Sequence, residues 1–537
     1  MNRCMTFSLL LALPVAVASV NPALAQSRCE DLTKLRLTNA TVTSATSFAA
    51  GTFKPPIAPY LSRPRGDMPA FCRVAGVARP TSDSEIKFEV WLPASIWNGK
   101  YEQVGNGGLA GTIPLPAMAE PLLRGYAVAG TDDGHNAVFT DASWALGHPE
   151  KVVDFGYRAV HQTAIQAKAI VQAFYGKDPA QSYFVGCSDG GREALMEGER
   201  FPADFHGIIA GAPANDWTHL IFKYVRDEQT LRSAPGKYIP ADKLVVLQSA
   251  TLAACDRLDG VKDGLVENPG QCRFDPAVIQ CKDADGPTCL TAAQVEMARS
   301  IYGPLRNSRT GALLSPGFSP GAEAIPGNWA VWILGPKAGE PSLQAAIANS
   351  SFADLVFEKP TWDFRTPNFD QDVTFADDKL AAILNSTNPD LHAFKERGGK
   401  LIQYHGWADS AIPPQESIGY FESAQAANGS TQDFYRLFMV PGMAHCGNGA
   451  GASAFGNSVV VPQPDALHDV GMALDEWVVH GVAPDQTIGT GFVDGDPAKD
   501  VVMTRLLCPY PQQAHYKGTG DINSAASFSC QAPPDSK

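Results

Sequence analysis

The run Tyr183-Phe184-Val185-Gly186-Cys187-Ser188-Asp189-Gly190-Gly191 narrows what this chain can fold into more than any other stretch. An aromatic and β-branched segment that stops at Gly-x-Ser-x-Gly and opens onto the helix-forming residues Arg192 to Arg200 reads as strand, sharp turn and helix. Side chains at Gly186 and Gly190 would strike neighbouring backbone in so tight a turn, which explains glycine on both sides. Ser188 is thereby presented at the carboxyl edge of a sheet, where a nucleophile belongs. The competing reading of an isolated Gly-x-Ser-x-Gly is an ordinary glycine turn.

A second strand-like run, Phe434 to Val440, leads into Pro441-Gly442-Met443-Ala444-His445-Cys446. Cys187 precedes the candidate nucleophile and Cys446 follows the candidate base, so a disulfide between them, with Cα atoms ~5.5 Å apart, would set the Ser188–His445 distance. The third member of a triad in the order Ser, Asp, His is Asp409, just past the strand Lys400 to Tyr404 in His405-Gly406-Trp407-Ala408-Asp409. Its carboxylate would hold the imidazole tautomer and stabilise the imidazolium. Asp433 is the weaker substitute, and a turn-capping role for Asp409 is the plainer alternative. His405 is expected to hydrogen-bond within the strand end.

The chain between these points has a strand–helix rhythm. Ile86 to Leu92 alternates apolar and polar residues, and Tyr101 to Val104 runs into the loop Gly105-Asn106-Gly107-Gly108. Tyr126 to Gly130 is a further strand, Val153 to Tyr175 carries helical periodicity, and Phe205 to Pro213 holds another short buried strand. This is the pattern of a mostly parallel α/β sheet with flanking helices. A glycine-rich loop after an early strand suits the second half of an oxyanion hole, or else a flexible surface loop. Residues 26–213 and 400–537 are read as the two parts of one core, and 214–399 as an inserted lid containing Trp217, Trp329, Trp332 and Trp362. For any one of these tryptophans the plainer reading is the lid's own core. Asp465 to Val479 reads as a closing helix with Leu467, Val470, Leu474, Trp477 and Val478 on one face.

Residues 1–25 have a basic start at Arg3, an apolar run and Ala23-Leu24-Ala25, the form of a signal peptide cleaved after Ala25. A secreted or periplasmic protein is expected. Of 11 cysteines, Cys4 leaves with that segment and ten remain. An even set in an exported chain implies disulfides, although sequence does not fix their connectivity. Local pairs Cys255–Cys272, Cys281–Cys289 and Cys508–Cys530 would leave Cys29–Cys72 and Cys187–Cys446. A net charge of −14 without a basic run argues against nucleic acid. No segment after the leader approaches the ~20 apolar residues of a membrane helix, so no membrane partner is expected.

Inside the lid, Cys255-Asp256-Arg257-Leu258-Asp259-Gly260-Val261-Lys262-Asp263-Gly264-Leu265 spaces three carboxylates along a glycine-bent loop. The spacing is not that of an EF-hand. Hard oxygen donors on such a loop suit Ca²⁺, and a surface Asp-Gly turn is the alternative.

Gly-Cys-Ser-x-Gly-Gly, His-Gly-Trp-x-Asp and Gly-Met-x-His-Cys, in that order and separated by Cys-Asp-x-x-Asp-Gly-x-x-Asp-Gly, resemble the tannase and feruloyl esterase family, which also includes mono(2-hydroxyethyl) terephthalate hydrolase. The resemblance spans nearly the whole mature chain. It implies an α/β-hydrolase core with a lid, the Cys187–Cys446 link, and Ser188, Asp409 and His445 as nucleophile, acid and base. It implies oxyanion donors at the backbone N–H groups of Asp189 and Gly108, with Gly107 also open. It further implies a structural Ca²⁺ held by Asp256, Asp259 and Asp263 side chains and by the carbonyls of Val261 and Leu265, with no organic cofactor. The implied activity is hydrolysis of small aromatic esters (feruloyl, galloyl or related) through an acyl-enzyme. One alternative is a terephthalate monoester hydrolase, for which Arg365 is a conceivable carboxylate-binding cation. Another is a binding protein without turnover. Oligomeric state is not legible.

Overall fold

The computed structural model describes Met1 and residues 28–56, 66–457, 461 and 463–532. Met1 apart, the expected signal segment lies outside the described residues. The central sheet is built from β1 (Arg36–Leu37), β2 (Ala40–Phe48), β3 (Phe71–Ala78), β4 (Ile86–Pro93), β5 (Lys100–Val104), β6 (Ala127–Thr131), β7 (Gln181–Cys187) and β8 (Gly207–Gly211). A small hairpin of β9 (Leu305–Arg306) and β10 (Leu313–Ser315) intervenes before the sheet is completed by β11 (Lys400–Gly406) and β12 (Tyr435–Val440). The ten sheet strands lie in the order β1-β2-β3-β4-β6-β5-β7-β8-β11-β12. From β6 through to β12 every pairing is parallel, and the strands before it are antiparallel.

The parallel strands are buried along most of their length because helices cover both faces. Phe184 and Ile208 turn to one face and pack with Ala164, Ile170 and Leu195 from the helices Ala159–Tyr175 and Asp189–Arg200. Tyr183 and Ile209 turn to the other, against Val470, Leu474 and Trp477 of the helix Val470–His480. That last helix starts later than its apolar spacing suggests. Asp469 caps it, its side chain accepting from the Gly471 and Met472 N–H groups, so Leu467 falls outside the helix. It packs across β8 and β11, beside the β12 edge of the sheet. The helix expected over 153–175 is likewise interrupted, by a π turn at Asp154–Arg158. Gly156 sits there because a Cβ would lie 2.5 Å from the Ile383 carbonyl oxygen. The loosened turn frees the Phe155 and Gly156 carbonyls, which accept from the Arg192 guanidinium at 3.0 and 2.7 Å.

Residues between β8 and β11 add no strand to the central sheet. They contribute the helices Trp217–Arg232, Ala241–Cys255, Ala292–Tyr302 and Leu343–Ser350 around a separate apolar cluster that includes Trp217 and Trp329. The cluster also takes in Leu109 and Ile412 from loops at the carboxyl ends of the strands and Phe155 from the π turn, so this segment is packed down onto that end of the sheet. At the tail, β13 (Thr487–Phe492) pairs with β14 (Val501–Leu507) and β15 (Gln513–Tyr516) with β16 (Phe528–Gln531).

His219 fastens the helix Trp217–Arg232 to the segment that precedes β11. Its Nδ1 donates to Asp216 at 2.9 Å and its Nε2 to Asp377 at 3.0 Å, a geometry that requires the imidazolium. Burial alone would lower its pKa, but its hydrogen bonds to the two carboxylates and their charges raise it to about 10. The folded value lies above the unfolded value of 6.5, so the stabilisation is fully present below that pH and is lost as pH rises through about 10. His219→Gln should therefore lower the thermal unfolding midpoint at pH 7, and the gap to the parent protein should narrow in melts recorded at increasing pH towards 10.

Candidate active site

The turn after β7 stores backbone strain. Ser188 has φ 67° and ψ −121°, a region that side-chain-bearing residues rarely adopt. It is tolerated because glycines let backbone pass against backbone: an added Cβ at Gly186 would lie 2.3 Å from the Gly190 carbonyl oxygen, and at Gly191 2.2 Å from that of Gly211. Ser188 N–H donates to Gly211 O at 3.0 Å, and Ala214 N–H to Ser188 O at 3.1 Å, pinning the turn to the end of β8.

Ser188 Oγ stands 2.9 Å from His445 Nε2, and His445 Nδ1 donates to Asp409 Oδ2 at 2.7 Å. Residues 257 positions apart meet because the loops after β7 and β12 are joined by the Cys187–Cys446 disulfide, Cα to Cα 5.9 Å. The other four expected pairings, Cys29–Cys72, Cys255–Cys272, Cys281–Cys289 and Cys508–Cys530, are present as well.

Asp409 is fully enclosed and accepts four further or shared contacts. Its Oδ1 takes the Ala411 and Ile412 N–H groups at 2.7 and 3.0 Å. Its Oδ2 is shared by His445 and by His405, whose Nε2 donates at 3.2 Å. Burial would raise the Asp409 carboxyl, yet the neighbouring His445 charge and hydrogen bonds from both histidines hold it well below the usual carboxylate range. His405 is in turn held by Ser417, Oγ to Nδ1 2.7 Å, and Ser417 by Gln403 Nε2 at 2.7 Å. A hydroxyl donor on Nδ1 leaves the proton of the neutral imidazole on Nε2, facing Asp409. Sequence reasoning put His405 at the strand end; its bond to the candidate acid follows from the turn between residues 405 and 409, and no pattern of residue types signals it. Asp433, the alternative acid, is exposed and pairs with Lys395 at 3.2 Å.

Gly108 has φ 61°, and a Cβ there would lie 2.5 Å from the Phe139 carbonyl oxygen. Among the described residues the backbone N–H groups of Asp189, Gly108 and Gly107 donate to no protein acceptor. The loop is bound to the elbow helix by Gly190 N–H donating to Asn106 O at 2.8 Å. Trp332 lies edge-on to His445, ring centroids 5.3 Å apart and planes at 70°, so one tryptophan of the 214–399 segment reaches the candidate base. Trp217 and Trp329 belong to that segment's own core, and Trp362 stacks on Phe352 at 4.8 Å. Arg365 is an exposed residue clamped to Asp363, Nη2 to Oδ2 2.6 Å.

The acidic loop 256–265 is folded on itself. Asp256 accepts from the Asp263 and Gly264 N–H groups at 3.0 and 3.1 Å, and Asp263 pairs with the buried Arg505 of β14. Arg505 also covers the Phe528 ring at 4.1 Å, which ties this loop to the chain's tail. Burial pushes Asp259 up to about 6 and Glu267 up to about 8, with the charge of Asp263 adding to both. Three buried or half-buried acids, Asp259, Asp263 and Glu267, thus face one guanidinium. The carboxylate oxygens that converge within 4.8 Å are elsewhere: among the described residues that set is Asp133, Asp189 and Glu193, a group that could hold a metal ion.

A large sheet, parallel through its centre, that presents a hydrogen-bonded Ser–His–Asp chain at its carboxyl edge defines a class, the α/β-hydrolases. Residues 72–531 match the family described as tannase and feruloyl esterase. The chain is 43% identical to an uncharacterized esterase of Xanthomonas campestris, over 98% of this chain and 95% of that one. It is 34% identical to the mono(2-hydroxyethyl) terephthalate hydrolase of Piscinibacter sakaiensis, covering 87% and 86%. The crystal structure of feruloyl esterase B from Aspergillus oryzae superposes with a TM-score of 0.84 at 31% identity, covering 94% of this chain and 99% of that one. The chain belongs to the tannase and feruloyl esterase family and is a carboxylic ester hydrolase of that type.

His405→Leu removes one of the two imidazole donors to Asp409 while keeping the site's volume nearly filled. Steady-state kinetics on a soluble ester should show kcat lowered by about tenfold with KM little changed, the loss of ~1.5 kcal/mol expected for a hydrogen bond to a charged group.

Proposed function

We propose that this protein hydrolyses esters of small aromatic acids through an acyl-enzyme on Ser188. The observation that carries the reading is the hydrogen-bonded chain from Ser188 Oγ through His445 to a fully buried Asp409. His445 takes the Ser188 proton as Oγ attacks the ester carbonyl, and Asp409 stabilises the imidazolium that forms. The oxyanion is held by the Asp189 and Gly108 N–H groups, whose freedom from other acceptors suits the role. His445 returns its proton to the departing alcohol, and water then releases the acid by the same steps in reverse. Trp332 beside His445 supports an aromatic acyl group, since a flat ring packs well against indole.

Relatives are named for both feruloyl and terephthalate esters. A terephthalate monoester leaves a free carboxylate that calls for a cation, and Arg365 already serves Asp363. Feruloyl or galloyl esters, which carry no second carboxylate, are therefore the favoured substrates.

We also infer that the loop 256–265 takes Ca²⁺, through the carboxylates of Asp256, Asp259 and Asp263 and the carbonyls of Val261 and Leu265. Its donor set is all oxygen, and its buried acids outnumber the one guanidinium that faces them. When bound, the ion would supply positive charge that lets these acids stay ionised and cross-braces the loop. Five disulfides agree with an oxidising compartment outside the cytoplasm. Among the described residues no helix is long and apolar enough to cross a membrane.

Ser188→Ala should reduce kcat on methyl ferulate or methyl gallate by ~10⁴-fold or more, without change in the melting curve. Retained turnover would overturn the mechanism, and faster turnover of mono(2-hydroxyethyl) terephthalate than of either methyl ester would overturn the substrate assignment. Chelation with EGTA should lower the thermal midpoint by several degrees, and added Ca²⁺ should restore it. An unchanged midpoint in protein shown to be metal-free would dismiss the ion.

A further inference from the structure

Behind the candidate oxyanion loop lies a group of acids that the mechanism above does not use. Asp133, from the turn after β6, and Asp189 and Glu193, from the elbow helix, are all buried, and one oxygen of each converges with the others within 4.8 Å. Asp133 Oδ1, Asp189 Oδ2 and Glu193 Oε1 are buried and have no hydrogen-bond donor. The remaining oxygens are fully engaged. Arg192 Nε donates to Asp189 Oδ1 at 2.5 Å, and the rest of that guanidinium is spent on the Phe155 and Gly156 carbonyls. Asn106 donates from its backbone N–H to Glu193 Oε2 at 3.0 Å and from its side-chain amide both to Asp133 Oδ2 at 2.5 Å and to the Thr131 carbonyl at 3.0 Å.

Asn106 is the middle of a clamp. Its carbonyl receives Gly190 N–H, its two donors hold Glu193 and Asp133, and two residues later the chain reaches Gly108. Gly105 is packed so closely that a Cβ would lie 2.7 Å from Glu193 Oε2. These two carboxyls therefore hold the loop against the elbow together with the Gly190 N–H and the Thr131 carbonyl.

Three carboxylates with a single guanidinium between them would leave two buried negative charges in excess, and three acceptors facing one another with nothing to accept. One proton between Asp133 Oδ1 and Glu193 Oε1 removes one of the two excess charges and pairs two of the three acceptors, because one oxygen becomes the donor that the other lacks; Asp189 keeps the Arg192 charge beside it. We propose that Asp133 and Glu193 share a proton and, in that state, act as positioning residues that hold the Gly105–Gly108 loop in register with Ser188. Loss of the proton turns the pair into two facing carboxylates, which push apart and carry Asn106 with them. Burial raises both carboxyls, and the hydrogen bond between them raises Asp133 further while lowering Glu193, the direction expected when Asp133 carries the shared proton. The other charged groups around the pair are Asp189 and Arg192 beside it, Glu197 one turn further along the helix, and the Asp154–Arg158 ion pair behind Gly134. The His135 ring, two residues past Asp133, faces the Leu109 and Asp133 carbonyl oxygens at 2.9 and 3.4 Å and can only donate to them. This inference rests on the esterase reading.

A shared proton has a signature that a general packing role lacks. Asp133→Asn and Glu193→Gln each replace the acid form by an amide whose NH₂ can donate to the remaining carboxylate. The double variant places two NH₂ groups face to face. Each single variant should keep kcat within about threefold of the parent, whereas the double should lose more than about tenfold in kcat with KM unchanged and its circular dichroism intact. The parent should lose kcat/KM on the alkaline side as the pair ionises, and the single variants should flatten that limb. Infrared difference spectra supply a readout that does not need ester turnover: the parent at pH 7 should show a buried carboxylic-acid carbonyl band that is missing from the double variant. Equal activity in all four proteins would overturn the proposal. So would the absence of that band, or a metal ion retained by the parent and lost in the single variants. If the parent cleaves no ester, the infrared band still decides the proton while the esterase reading alone falls.

Discussion

Everything at the carboxyl edge of this sheet depends on how near backbone can come to backbone around Ser188. The elbow is wedged between its own helix, the end of β8 and the loop after β5, and at each contact the crossing is made by glycine: Gly186 on Gly190, Gly191 on Gly211, Gly105 on Gly190. Distances of 2.2 to 2.7 Å from an imagined Cβ leave no space for any side chain. The strained φ of Ser188 is thus enforced from three sides, and the hydroxyl is aimed without using any flexible arm.

Onto this rigid turn the rest of the site is added from a distance. The loop after β12 is brought across by a cystine, the carboxylate of Asp409 is fixed by two backbone N–H groups and two imidazoles, and Trp332 descends from the 214–399 segment. The polar chain from Gln403 through Ser417 and His405 to Asp409 runs back along β11 into the core, so the acid is anchored by the sheet it follows. A serine that is strained, an acid that cannot reorient and a histidine between them leave only the substrate to move.

How much of this could be read from residues alone follows how local each signal is. The elbow, the Met-x-His-Cys loop and the strands β7, β8, β11 and β12 are written in contiguous patterns, so their existence was plain and their ends were off by a residue or two. The helix over 465–479 was misplaced because its apolar spacing extends past Asp469, whose side chain caps the true first turn. The break at Asp154–Arg158 was invisible because Gly156 answers to Ile383, which arrives from more than two hundred residues away. The same holds for Asp133 with Glu193 and for Asp263 with Arg505: each acid has an unremarkable neighbourhood in the chain, and its meaning comes from what the topology sets against it. Arg365, the cation considered for a substrate carboxylate, is occupied by an aspartate two positions earlier.

The Cys187–Cys446 bond also bears on how such a chain is made. Cys187 emerges from the ribosome well before its partner, and Cys255, Cys272, Cys281 and Cys289 all pass in the interval. An oxidant that joined cysteines in their order of appearance would marry Cys187 to Cys255. Biosynthesis therefore has to keep one thiol waiting or exchange a premature partner later, and a host lacking a disulfide isomerase is a poor place to produce this enzyme.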